Sequence, residues 1–183
     1  MSVWQTLLRM WPAVLAGVPS LALLVVAACF DKPPEKYRSF FSLPLQETDD
    51  SLLTYPIDDQ VEIYLWGMTN VHPPLMHLAE PLAKNGPTAV EAIRDRLQEQ
   101  GHRDYTRFAL IYALEWIACD SPDLTQDTVL ITQLRVVISN MRPGHWKDRA
   151  TEALQRITGD RSCTVTEEEV REELRRLRTS RQS

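Results

Sequence analysis

Residues 105–118, YTRFALIYALEWIA, constrain the fold more than any other part of this chain. Only Thr106, Arg107 and Glu115 interrupt the apolar run. It is too long for a typical strand and too short to cross a bilayer, so it reads as a helix buried around most of its circumference. A helix of that kind needs cover on several sides. The neighbouring segments supply amphipathic helices, and the expectation is an all-α body.

The first of these is an apolar block at residues 61–71, with Asp58 or Asp59 as its N-cap. Its Val, Ile and Tyr content leaves a strand open as the alternative. Pro73 and Pro74 stop it. Residues 75–84 restart a helix through Leu75, Leu78, Ala79 and Leu82, and Asn85-Gly86 closes it. Residues 87–100 carry Val90, Ile93 and Leu97 on one stripe before Gly101. After a break at Asp120–Asp123, residues 124–141 place Leu130, Leu134, Val137 and Met141 on one stripe, broadened by Ile131 and Ile138. Arg142, Pro143, Gly144 and His145 break the chain again. A last stripe of Trp146, Ala150, Ala153, Leu154 and Ile157 ends at Gly159. Trp66, Trp116 and Trp146 fall on apolar stripes and read as core fillers, with Trp146 the one expected to be partly exposed as an interface anchor.

Sliding the chain against itself by about 40 residues lays Ala113, Leu114 and Ile117 over Ala153, Leu154 and Ile157. Val90, Ile93 and Leu97 then meet Ile131, Leu134 and Ile138 with one residue of slack. This pattern over residues 87–159 resembles the HEAT and armadillo class of α-solenoids, with 61–84 as a degenerate preceding pair. An irregular helical bundle is the competing architecture. In the stacked arrangement that the resemblance implies, Cys119 and Cys163 follow corresponding helices and share an edge. That makes them candidates for a disulfide; two unrelated cysteines are the alternative.

The first 12 residues carry one charge, Arg9, and residues 13–28 are apolar and small, ending at Cys29. This is the layout of a secretory signal. Val26-Ala27-Ala28-Cys29 resembles the lipobox of bacterial lipoproteins, which implies acylation of Cys29 and removal of residues 1–28. An uncleaved anchor over 13–30 and a buried N-terminal helix are the other readings. The expected organisation is a signal peptide or anchor at 1–28, a tether at 29–59, a helical repeat domain at 60–160 and a charged C-terminal helix or tail at 161–183. The tether is proline-punctuated (Pro33, Pro34, Pro44, Pro56) and acidic (Glu47, Asp49, Asp50). Phe40, Phe41, Leu43 and Leu45 indicate that part of it packs on the body or on a partner. In the tail, Glu167 with Arg171 and Glu172 with Arg176 are i, i+4 pairs beside a Val170, Leu174, Leu177 stripe. A solvated capping helix accounts for this, and contact with a partner or lipid surface through Arg175, Arg176 and Arg178 is the alternative.

A net charge of −5 gives no basic footprint for nucleic acid. The four histidines, His72, His77, His102 and His145, lie near helix ends, and His72 and His77 are separated by two prolines rather than set on one helical face. There is no Gly-rich phosphate cradle, nucleophile elbow or Cys-x-x-Cys pair. No catalytic residue, metal or cofactor is expected. The function that fits best is a membrane-tethered protein-binding module, an adaptor or accessory subunit of an envelope complex. It would be held by a lipid anchor or N-terminal helix at the bacterial cell envelope and face the periplasm or exterior. An immunity or inhibitor protein in the periplasm is a second hypothesis, and a small metal-dependent hydrolase using His72, His77 and nearby acids a third.

Overall fold

A computed structural model describes residues 32–160 and Cys163. The segment 1–28, Cys29, Arg175, Arg176 and Arg178 lie outside the described residues. Contacts divide the chain into residues 1–36 and 37–183, and the helices below belong to the second unit. These are α1 (Thr48–Leu52), α2 (Ile57–Asn70), α3 (Ala79–Ala83), α4 (Pro87–Gln98), α5 (Asp104–Asp120), α6 (Thr128–Ser139) and α7 (His145–Ile157). The described residues contain no strand, so this unit is all-α. Among them no helix is long and apolar enough to cross a membrane.

Helix α5 holds the apolar run and is the hub. Phe108, Ala109, Leu110, Ile111, Ala113, Leu114, Ile117 and Ala118 are buried, and α2, α3, α4 and α7 all pack against it. Full burial of one Leu or Ile side chain contributes about 1.5–3 kcal/mol, so this face outweighs the intrinsic cost of its β-branched and aromatic residues. The partner stripes fall where periodicity places them. Val90, Ile93 and Leu97 of α4, Leu130 and Leu134 of α6, and Ala150, Ala153 and Ile157 of α7 are buried.

Several boundaries differ from the sequence expectation for local physical reasons. Helix α2 begins at Ile57 behind Pro56, and Asp58 and Asp59 stand in its first turn rather than at the cap. There they complement the positive end of the helix dipole. Helix α6 begins at Thr128 instead of 124, because the Asp127 carboxylate accepts the Leu130 N–H at 2.9 Å and restarts the helix after a 3-10 turn over Pro122–Gln126.

In the expected tether at 29–59, Phe40, Phe41 and Leu43 pack on the body as their apolar character indicates while Leu45 is exposed, but the packed part is longer than a tether allows. From Tyr37 onward it is part of the helical body: Tyr37, Phe40 and Leu52 are buried, the Phe41 ring lies tilted against Trp66 at 4.4 Å, and Tyr55 meets the rings of Tyr37 and Phe40. Its 3-10 turns at Phe40–Ser42 and Leu45–Glu47 and the single turn of α1 are too short to show a helical period. Aromatic burial, not periodicity, ties them down. At the other end of the body, Cys163 is disulfide-bonded to Cys119 in the last turn of α5, with a Cα–Cα distance of 5.6 Å.

Candidate interaction surface

The starts of α5 and α7 come together at one end of the body. Two contacts hold them there. Arg142, in the turn before α7, donates its Nε to the Asp104 carboxylate at 2.9 Å. The ring of Trp146 lies 4.5 Å from that of Tyr105 and stacks on Phe108 at 5.3 Å. The turn itself depends on Gly144, whose φ of 139° is in a region that L side chains rarely adopt.

Trp146 is 38% exposed, although its spacing with Ala150, Ala153 and Ile157 marks it as a core position. Helix α7 starts only one residue earlier, and the Trp146 ring packs against Tyr105 and Phe108 in the first turns of α5, with His145 4.7 Å away. Trp66 and Trp116 are half-buried rather than core-filling. The aromatic series continues along α5: Phe108 meets Tyr112 at 5.9 Å, and Tyr112 meets Trp116 at 6.4 Å. The Tyr105 hydroxyl donates to the Met68 carbonyl at 2.8 Å, and burial raises its pKa. Trp146 therefore sits on a rigid base.

Several cationic side chains stand in or beside the first turns of α5 and α7. Arg142 is 88% exposed even while it bonds Asp104. Arg107 is 3.6 Å from the other Asp104 oxygen, and the hydrogen bond from Arg142 is the main reason the Asp104 pKa is lowered. Lys147 donates to the carbonyls of Ser139 and Met141 at 3.1 and 3.2 Å, which gives a partner to the last carbonyl of α6 and to one in the turn that follows. Arg149 pairs with Glu152 at 2.9 Å on the outer face of α7. Further along, Arg156 reaches Glu115 of α5 at 2.8 Å, with each side chain 13% exposed. Desolvation outweighs the attraction of Arg156, so the Glu115 pKa is raised.

The other polar groups lie elsewhere. The Tyr37 hydroxyl is 2.6 Å from both Asp59 and Glu62, and Arg96 joins Glu62 to Glu99. The His102 ring meets the Arg96 carbonyl at 2.8 Å. His77 Nε2 lies 3.1 Å from Thr48 Oγ1 and 3.6 Å from Asp49, while His72 is exposed. That geometry places both partners of His77 on one ring nitrogen, whereas a nucleophile–base–carboxylate relay uses both. Among the described residues no group of three or more His, Cys, Asp or Glu is set to hold a metal.

Of the site residues expected from sequence, the structure places Trp146 at this surface and Cys119 with Cys163 in a bond on another part of α5. Arg103, Arg107, Arg142 and Arg149 were missed. The signal available for them was the spacing of two helix starts, 104 and 145, which periodicity alone does not bring together. Comparisons with protein-family models, with curated proteins and with solved structures find no match to this chain.

Proposed function

We propose that this protein is a membrane-tethered extracytoplasmic binding module, an adaptor or accessory subunit that recognises another protein and performs no chemistry of its own. The observation that carries the reading is the rigidly seated, solvent-exposed Trp146 among cationic side chains. Large aromatics held in place and ringed by polar groups are the anchors of protein interfaces. The Cys119–Cys163 bond supports an oxidising compartment, where such bonds persist. The signal-like segment and its lipobox motif support a membrane address. In this reading α4–α5 and α6–α7 are two units of a short HEAT-like array. Their order, their period of about 40 residues and the packing of α7 on α5 favour it.

The test is capture from solubilised membranes by the full chain, with a Cys29→Ser form as control. One partner recovered at constant stoichiometry, together with an acylated Cys29 as the new N-terminus by mass spectrometry, is the expected result. An intact segment 1–29 would remove the lipoprotein part of the proposal, and failure to recover a reproducible partner would remove the adaptor part.

A further inference from the structure

We infer that the end of the body formed by the starts of α5 and α7 is the docking face, and that its occupant is an acidic polypeptide segment of the protein partner. This rests on the binding-module reading and names the partner's chemistry.

The argument begins with charge. The whole chain carries a net charge of −5, yet the segments around the starts of α5 and α7 carry five cations, Arg103, Arg107, Arg142, Lys147 and Arg149, against four carboxylates, Glu99, Asp104, Asp148 and Glu152. Asp104 lies inside, its side chain 13% exposed, while the Arg142 that binds it is 88% exposed. An arginine has five N–H donors in a fixed fork, and Arg142 commits its Nε inward, so the rest of the fork faces solvent. A carboxylate arriving from outside meets a guanidinium that is already oriented, which reduces the side-chain entropy lost on binding.

Backbone fields add to this. Helix α5, 17 residues long, and helix α7, 13 residues long, both present their N-termini here, each contributing roughly half a positive charge. The C-terminus of α6 reaches the same end and opposes them, and Lys147, hydrogen-bonded to the Ser139 carbonyl and to that of Met141 just beyond, offsets it, which leaves the arginines as the cations of the surface.

Shape selects a protein over a lipid surface. Trp146 is pinned by Tyr105, Phe108 and His145 and still keeps 38% of its surface exposed. Membrane insertion draws on exposed apolar neighbours that enter the acyl region together. Here the neighbours are Arg142, Pro143, Gly144 and His145, and Met141 is buried. A fixed aromatic ring close in sequence to the open fork of Arg142 fits a peptide segment in which carboxylates alternate with aromatic or aliphatic side chains.

The test uses the full chain in detergent and a fluorescein-labelled peptide of alternating glutamate and tyrosine, followed by anisotropy at low and physiological salt. A lysine–tyrosine peptide and phosphatidylglycerol vesicles are run in parallel. The expected result is binding of the acidic peptide that weakens at least tenfold in the Arg142→Glu/Arg149→Glu form and in Trp146→Ala, and that falls as salt rises. The milder Arg142→Gln/Arg149→Gln form, checked for an unchanged melting temperature, guards against loss of fold and should weaken binding at least threefold. Equal affinity in all forms, preference for the lysine peptide, or binding to vesicles alone overturns the inference. Capture from membranes separates it from the broader reading. If the charge-reversed form retains the partner, this face is wrong and the binding-module reading stands; if the wild type captures nothing, both fall.

Discussion

The Glu115–Arg156 pair offers the sharpest test of how the two longest-packed helices are held. It joins α5 to α7 at 2.8 Å with each side chain only 13% exposed, and Glu115 is one of three polar interruptions in the central apolar run. Removing one partner strands the other charge in a poorly solvated position, which costs about 3–5 kcal/mol in fully buried pairs. The residual exposure puts the expected cost of Arg156→Met at the lower end, about 3 kcal/mol, or roughly 6–12 °C in Tm for a protein of this size. Glu115→Met should cost a similar amount. The double Glu115→Met/Arg156→Met form should return to within about 1 kcal/mol of wild type, because two desolvation penalties disappear together with the attraction.

The pH dependence has a definite sign. Burial raises the Glu115 pKa above its ordinary 4.5, so the folded chain holds this proton where the unfolded chain has lost it. Its contribution to stability is therefore fully present below about 4.5 and is lost as pH rises through the folded value. In Arg156→Met the attraction that lowers the pKa is gone and the value climbs further. The penalty of that variant should shrink as pH falls from 7 toward 4.5. Thermal melts followed by far-UV circular dichroism at pH 7 and pH 5 measure all of this. A double variant as unstable as the sum of the two singles, or a penalty independent of pH, would refute the reasoning.

Three further perturbations test other parts of the structure. Cys119 and Cys163 are separated by 44 positions, and closing a loop of that length constrains the unfolded chain by about 4 kcal/mol, so Cys119→Ser/Cys163→Ser should lose about that much in urea titrations and be insensitive to dithiothreitol. The buried Tyr64 hydroxyl donates to the Ala109 carbonyl of α5 at 2.7 Å; Tyr64→Phe should cost about 1 kcal/mol at pH 7, since a helical carbonyl keeps its main-chain donor. Burial also raises the Tyr64 pKa, so stability should decline as pH climbs beyond 10, and the Phe form should show less of that decline in alkaline melts. At Gly67 an added Cβ would lie 3.1 Å from Leu75 Cδ1 and 3.2 Å from Leu75 Cβ; Gly67→Ala should be destabilising by about 1 kcal/mol despite its better helix propensity, and in a double-mutant cycle Leu75→Ala, which removes Cδ1 but keeps the Cβ, should relieve only part of that cost.

Local pattern was enough for much of the core. The run at 105–118 identified α5, because a segment apolar on nearly every side has no stable place except among neighbours. The stripes through Val90, Ile93 and Leu97 and through Ala150, Ala153 and Ile157 showed which faces turn inward, and the proline and glycine breaks marked where helices stop. These features depend on a period of 3.6 residues and on backbone stereochemistry, both readable over a few turns. Long-range packing governed the rest. Phe40 and Tyr37 enter the core from a stretch without periodicity, because aromatic burial against α2 and its neighbours suffices without a long helix. Trp146 has a core residue's spacing and an interface residue's exposure, because it stands in the first turn of α7, where Tyr105 and Phe108 leave 38% of its surface uncovered. Arg142 and Asp104 stand 38 positions apart and Arg156 and Glu115 stand 41 apart, so no local rule could pair them. Periodicity specifies the face a helix presents to its surroundings; the helices that arrive there, and the charges they bring, depend on the packing of the whole body.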